Sequence, residues 1–228
     1  MHEPPETVAR GDGVAGELAL RRRHTTSGEV YELIVNGTFL MDTAETSTER
    51  LLADVLLDRH DSPRRVLVGG LGLGFTVDAL LADPRVERID VVELEPLLVD
   101  WLRAGMVPSA DVTMSDARVR LEIGDIHDVL TAAPPHAYDG FLLDVDNGPG
   151  FLVRDANAQV YRRPSLRAAA SALTPGGVLA VWSAAPSDQL AIALADTVGE
   201  VTELTRTVPR EGREVDYHIY LARRPYAA

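Results

Sequence analysis

The chain begins with polar sequence, passes through short alternating runs, and then settles into longer apolar stretches separated by helical patterns. Met1 to Val14 is rich in Gly, Pro and Glu and is expected to be mobile. Apolar segments follow at Leu18 to Arg22, Val30 to Val35 and Thr38 to Met41, punctuated by Ser27-Gly28 and Asn36-Gly37. The Asn-Gly pair between strand-like runs predicts a hairpin, so residues 15–60 read as a small β appendage with a leading helix. That helix spans Thr46 to Arg59, with Leu51, Leu52, Val55 and Leu56 on one face.

From Arg64 onward, strand and helix patterns alternate. This predicts an α/β unit over residues 61–228, a mainly parallel sheet with helices on both faces. Val178 to Ser183 gives its fifth strand, Gln189 to Val198 a helix, and Val201 to Val208 with Tyr217 to Ala222 a closing hairpin.

Ligands of such sheets bind beyond the carboxyl ends of the strands, and the chemistry-bearing residues sit there. The strand Val66-Leu67-Val68 runs into Gly69-Gly70-Leu71-Gly72-Leu73-Gly74-Phe75, where glycine permits a sharp turn and close approach to a ligand. Phe75 stands where a dinucleotide fingerprint carries its third glycine, which disfavours a pyrophosphate site and a dinucleotide-dependent reductase. The next strand, Ile89 to Val92, ends in Glu93, a carboxylate able to accept both hydroxyls of a ribose lying over the turn. Gly124-Asp125 precedes a helix, and Asp144 ends a further strand.

Taken in order, these segments resemble the spermidine synthase (aminopropyltransferase) branch of the class I S-adenosylmethionine-dependent methyltransferase superfamily. The family pattern VLIIGGGDGG, HPxVxxV and VEIDP lies on Val66 to Pro96 with Pro84, Val86, Glu93 and Pro96 in register. The resemblance continues through Asp116-Ala117-Arg118-Val119, Gly124-Asp125, Tyr138 to Asp144, and Leu173-Thr174-Pro175-Gly176-Gly177. It covers roughly Arg64 to Trp182.

The resemblance implies a Rossmann-like class I fold with a seven-stranded sheet and a shortened N-terminal β appendage. Gly70, Gly72 and Gly74 then lie against the donor's sugar and tail, and Glu93 holds its ribose. Asp125 accepts from the adenine amino group, and Ile126 packs on the ring. Asp125 also reads as a helix N-cap, compatible with that role. Asp144 corresponds to the family acid that orients and deprotonates the attacking amine. A loop-bracing Asp is the alternative.

Three departures bear on the substrates. The family's acid within GGGDGG is Leu73 here, which removes a contact for the ammonium of a decarboxylated donor. The loop after Asp144 offers Asp146 or Asn147 in place of the family's second acid. Leu40 and Ser47-Thr48-Glu49 stand where the family carries Gln and Tyr-His-Glu, leaving Glu49 as a cation contact or, equally, as part of a helix-capping pattern.

Composition narrows the chemistry. The chain has 228 residues, no cysteine, and 22 basic residues that are all arginine. Disulfides, thiolate metal sites, a Schiff-base lysine and a Walker-type loop are therefore excluded. The six histidines lack metal-ligand spacing, so no metal is expected. A net charge of −13 disfavours a nucleic-acid partner and suits cationic small molecules. No apolar run approaches the ~18 residues of a membrane span and no signal-peptide pattern opens the chain, so a cytoplasmic protein is expected.

The leading expectation is transfer of an aminopropyl group from decarboxylated S-adenosylmethionine to a polyamine-type amine. A methyltransferase using intact S-adenosylmethionine is the alternative, and a non-catalytic nucleoside-binding protein a third. The resemblance also implies a homodimer.

Overall fold

The computed structural model describes residues 4–26, 28–150, 152, 154–210 and 212–226. Two sheets organise it. The first is an antiparallel meander of β1 (Glu6–Gly13), β2 (Gly16–Thr25), β3 (Gly28–Val35) and β4 (Thr38–Asp42). Asn36 and Gly37, at φ 50° and 75°, make the expected two-residue turn between β3 and β4. Ser27, the other expected turn residue, lies outside the described residues.

Residues 6–13 form strand β1, where the sequence had suggested a mobile N-terminus. Its pattern was concealed because the strand lies at the sheet edge and is mostly exposed, so nothing forces apolar alternation on it. Backbone pairing with β2 and ion pairs such as Arg22 to Glu6 at 2.8 Å hold it. Met1 to Glu3 lie outside the described residues.

The second sheet begins after α1 (Ser47–Arg59). It contains β5 (Arg65–Gly69), β6 (Arg88–Glu93), β7 (Val119–Ile123), β8 (Tyr138–Leu143), β9 (Leu173–Ser183), β10 (Glu200–Arg210) and β11 (Arg213–Arg223), in the order β10-β11-β9-β8-β5-β6-β7. The five strands from β9 to β7 are parallel, and β11 inserts antiparallel between β9 and β10. The expected seven-stranded, mainly parallel sheet is therefore present.

Successive residues of a strand face opposite ways, and here both faces are buried. Val66, Val68, Val91, Leu142 and Val178 pack with α1, with α2 (Phe75–Leu81), with α3 (Pro96–Arg103) and with the N-terminal sheet. Leu67, Val92, Phe141, Leu143 and Val181 pack with α5 (Ile126–Ala132), α6 (Arg163–Ala172) and α7 (Asp188–Thr197). A short helix, α4 (Asp111–Ser115), precedes β7. No helix among the described residues is long and apolar enough to cross a membrane.

Candidate functional site

Four parallel strands deliver functional groups to one edge of the large sheet. The turn after β5 comes first. Gly70 has φ +92°, its amide donates to Val92 O at 2.9 Å, and a Cβ there would stand 2.1 Å from Asp144 O. Only glycine permits this approach, which brings the end of β8 directly against the turn. The Asp144 amide in turn donates to Gly69 O at 2.8 Å.

Gly72 lines the resulting cavity beneath Met41. Gly74 instead occupies the left-handed N-cap of α2, beside Thr113 and off the cavity wall. Leu73 is fully buried in the core and does not line the cavity.

Glu93, at the end of β6, is 8% exposed. Its Oε2 accepts the Leu71 amide and its Oε1 the Glu95 amide, both at 2.8 Å. Burial pushes the Glu93 carboxyl up from its ordinary range, against the opposing pull of these amides. Each oxygen retains lone-pair capacity for a hydroxyl donor. After β7, Asp125 caps α5 by accepting the His127 amide at 2.9 Å, and it lines the cavity together with buried Ile126. Glu93 can accept from hydroxyls and Asp125 from an amine, while Ile126 offers an apolar face beside them.

Asp144 follows β8 and keeps partial exposure to the cavity. Its carboxyl is pushed up to about 7, first by burial and then by the negative charges of Glu49 and Glu93, while a hydrogen bond from Thr76 Oγ1 at 3.3 Å acts in the opposite direction. The same Thr76 hydroxyl lies 3.2 Å from Glu49 O. Glu49, from the first turn of α1, is 5% exposed and accepts from Thr48 Oγ1 at 2.7 Å. Its carboxyl is likewise raised by burial. The two carboxyls form an acidic pair on the cavity wall.

The loop beyond Asp144 is pinned. Tyr161 OH donates to Val145 O at 2.7 Å, and the Ala184 amide to Asn147 O at 3.1 Å. Asp146, at φ 55°, accepts from Asn157 Nδ2 at 2.9 Å. Both Asp146 and Asn147 line the cavity.

Its wall carries Glu49, Glu93, Glu95, Asp125, Asp144 and Asp146 and no basic side chain among the described residues, a surround that favours cations. The described residues hold no cluster of three or more His, Asp or Glu placed to bind a metal ion.

Sequence reasoning missed Glu95, Thr76 and the cavity wall that Ala15, Leu18, Leu33 and Val35 of the N-terminal sheet region supply. Glu95 is visible as the second acid of Val-Glu-Leu-Glu-Pro, but its partners are backbone amides far away in sequence.

Comparison with known proteins gives a consistent picture. A spermine/spermidine synthase domain model matches residues 45–200. Putrescine N-methyltransferase 3 of Nicotiana tabacum is 36% identical over 120 residues, covering 52% of this chain and 29% of that protein. Spermidine synthase of Coffea arabica is 31% identical over 158 residues, covering 68% of this chain and 47% of that protein. The match thus spans less than half the length of either relative. Among solved structures, a spermidine synthase in complex with the transition state analogue AdoDATO superposes with a TM-score of 0.82 at 16% identity, covering 97% of this chain and 75% of that one. Spermidine synthase from Thermotoga maritima gives 0.79 at 17%, covering 97% and 74%. These two structures share the fold. With the family model spanning both the glycine turn and the Asp144 loop, the chain belongs to the spermine/spermidine synthase domain family.

Proposed function

We propose that this protein is a cytoplasmic transferase that binds an S-adenosyl sulfonium donor and moves its aminopropyl group to the nitrogen of an amine. Residues 61–228 form the transferring unit in this reading and residues 15–60 cover it. The observation that carries the proposal is Asp144. Its carboxyl, raised to about 7, faces a cavity whose charged lining residues among the described ones are all acidic, Glu93 and Asp125 included.

An alkylamine of pKa ~10.4 is neutral about once in 2,500 molecules at pH 7, a penalty near 4.6 kcal/mol. Glu49 and Asp144 attract the ammonium, and Asp144 accepts its proton as the nitrogen attacks the carbon next to sulfur. The C–N bond forms, the C–S bond breaks, and its electron pair neutralises the sulfonium. Glu93 holds the ribose, Asp125 and Ile126 the adenine, and Gly70 and Gly72 leave room for the sugar and tail, while Gly74 shapes the turn from the start of α2. Asp146 and Asn147 border the acceptor. A homodimer is the proposed assembly, checked by light scattering.

Methyl transfer from intact S-adenosylmethionine to an amine is the second reading, favoured specifically by Leu73. A buried leucine at that turn presents no acid to repel the donor's carboxylate. Mass spectrometry of an amine panel incubated separately with each donor distinguishes the two. An aminopropyl adduct supports the first reading and a methyl adduct the second. Tight methylthioadenosine binding with no adduct from either donor would leave only a nucleoside-binding protein.

A further inference from the structure

The cavity is chemically two-sided. Its carboxylates come from α1 and the strand ends of the large sheet. Of the described residues, those that the N-terminal sheet supplies to the wall are all apolar, including Leu18, Leu33, Leu40 and Met41. Met41 lies directly over the glycine turn, its Sδ 3.3 Å from the Leu73 amide. At the end of β9, the ring of Trp182 extends this apolar side, although its buried Nε1–H has no hydrogen-bond partner among the described residues. It is 6% exposed and braced by Tyr217, with ring centroids 5.2 Å apart and planes at 28°.

The acids are unequally available. Glu95 accepts three backbone amides, Glu93 two, and Asp125 one at its helix cap. Glu49 and Asp144 both line the cavity, and the charge of Glu49 helps to raise the Asp144 carboxyl, a repulsion that a single ammonium beside them relieves. A second ammonium on the same ligand would either lie against the apolar side, where desolvation without a counter-charge is costly, or have to reach Asp146, which already accepts from Asn157.

We infer that the acceptor is an amine with one charged nitrogen, held between Glu49 and Asp144, and an apolar alkyl or aryl body lying against Leu40, Met41 and Trp182. An arylalkylamine fits this description, and a diamine of similar length does not. The inference rests on the transfer reading and narrows its acceptor. Leu40 and Trp182 are its selecting residues. Neither donates a proton to the reaction or receives one.

Binding tests it independently of turnover. With methylthioadenosine saturating, calorimetry compares phenethylamine, hexylamine and 1,4-diaminobutane on the full chain. The monoamines are expected to bind at least tenfold tighter than the diamine, about 1.4 kcal/mol. Trp182→Ala is expected to weaken phenethylamine at least tenfold while methylthioadenosine affinity stays within twofold. Trp182→Phe, which keeps a ring, should retain most of the preference and serves if the alanine variant does not fold. Leu40→Gln should narrow the gap between monoamine and diamine.

Equal or tighter diamine binding overturns the inference, and its loss in Asp146→Asn would assign the second charge to that residue. Failure of all three amines to bind also overturns it. Tight monoamine binding without transfer from either donor would leave the inference standing and sink the transferase reading instead.

Discussion

Glu95 joins the two sheets through Val14: its Oε2 accepts the Val14 amide at 2.7 Å and that of neighbouring Ala15 at 3.3 Å, while Oε1 accepts Leu97 N at the start of α3. Val14 and Ala15 form the two-residue connection between β1 and β2, and Ala15 lines the cavity. One buried carboxylate therefore ties the β1–β2 turn, and with it this part of the cavity wall, to the start of α3.

Glu95→Gln should release that turn. A glutamine has a single carbonyl oxygen, so its NH2 must confront amide donors on one of the two sides. A loss of roughly 1–3 kcal/mol of stability is expected for an unsatisfied buried group. Methylthioadenosine affinity should also fall, by about tenfold, because Ala15 and Leu18 no longer hold their positions. Thermal denaturation and calorimetry read the two effects, and unchanged values in both would remove Glu95 from this role.

Glu93→Gln tests the ribose assignment. The variant weakens acceptance of hydroxyls and sets an NH2 against the Leu71 or Glu95 amide. Hydrogen bonds to charged groups contribute about 1.5–3 kcal/mol, or roughly ten- to hundredfold in affinity. A 2′-deoxy analogue of methylthioadenosine should bind the wild type more weakly but cost Glu93→Gln little further, the signature of a shared contact. Equal deoxy penalties in the two proteins would place the ribose elsewhere.

The features legible in the sequence were those with a local signature. Asn36-Gly37, the glycine turn and the acids closing Ile89 to Val92 and Tyr138 to Leu143 are each readable from a few neighbouring residues. Strand β1 was not, because an exposed edge strand imposes no alternation on its sequence. The elevated carboxyl of Asp144 depends on burial and on the negative charge of Glu49, which the packing of α1 brings to it, while Thr76 from α2 works against the elevation. The role of Glu95 was hidden for a different reason: it binds backbone, and backbone amides leave no mark in a sequence.

Gly70→Ala should damage fold and site together. Its Cβ would lie 2.1 Å from Asp144 O at a φ of +92°, so both the turn and the end of β8 must shift. Backbone strain alone contributes about 1–3 kcal/mol, and the displaced Asp144 should abolish most transfer. Gly150→Ala is the control: its Cβ meets nothing within 4 Å, and a change within about 0.5 kcal/mol is expected. Similar melting curves for the two variants would contradict the close approach of turn and strand.

Asp144→Asn separates chemistry from stability by pH. As the base, Asp144 must be ionised, so the transfer rate should rise with pH toward a plateau above about 7. The asparagine variant should lose ~10²–10⁴ in kcat and flatten this profile while holding methylthioadenosine with near wild-type affinity. Stability should move the other way. Because the folded carboxyl is raised from 3.8 to about 7, its contribution is fully present below 3.8 and is lost as pH rises through 7. Above that point the ionised group costs up to about 4 kcal/mol, less whatever the open cavity side allows water to recover. Asp144→Asn should therefore be more stable than the wild type at pH 8, with the advantage shrinking toward pH 4. Urea unfolding across that range measures it, and a constant difference between the two proteins would mean that Asp144 titrates as an ordinary carboxylate and is no base for the amine.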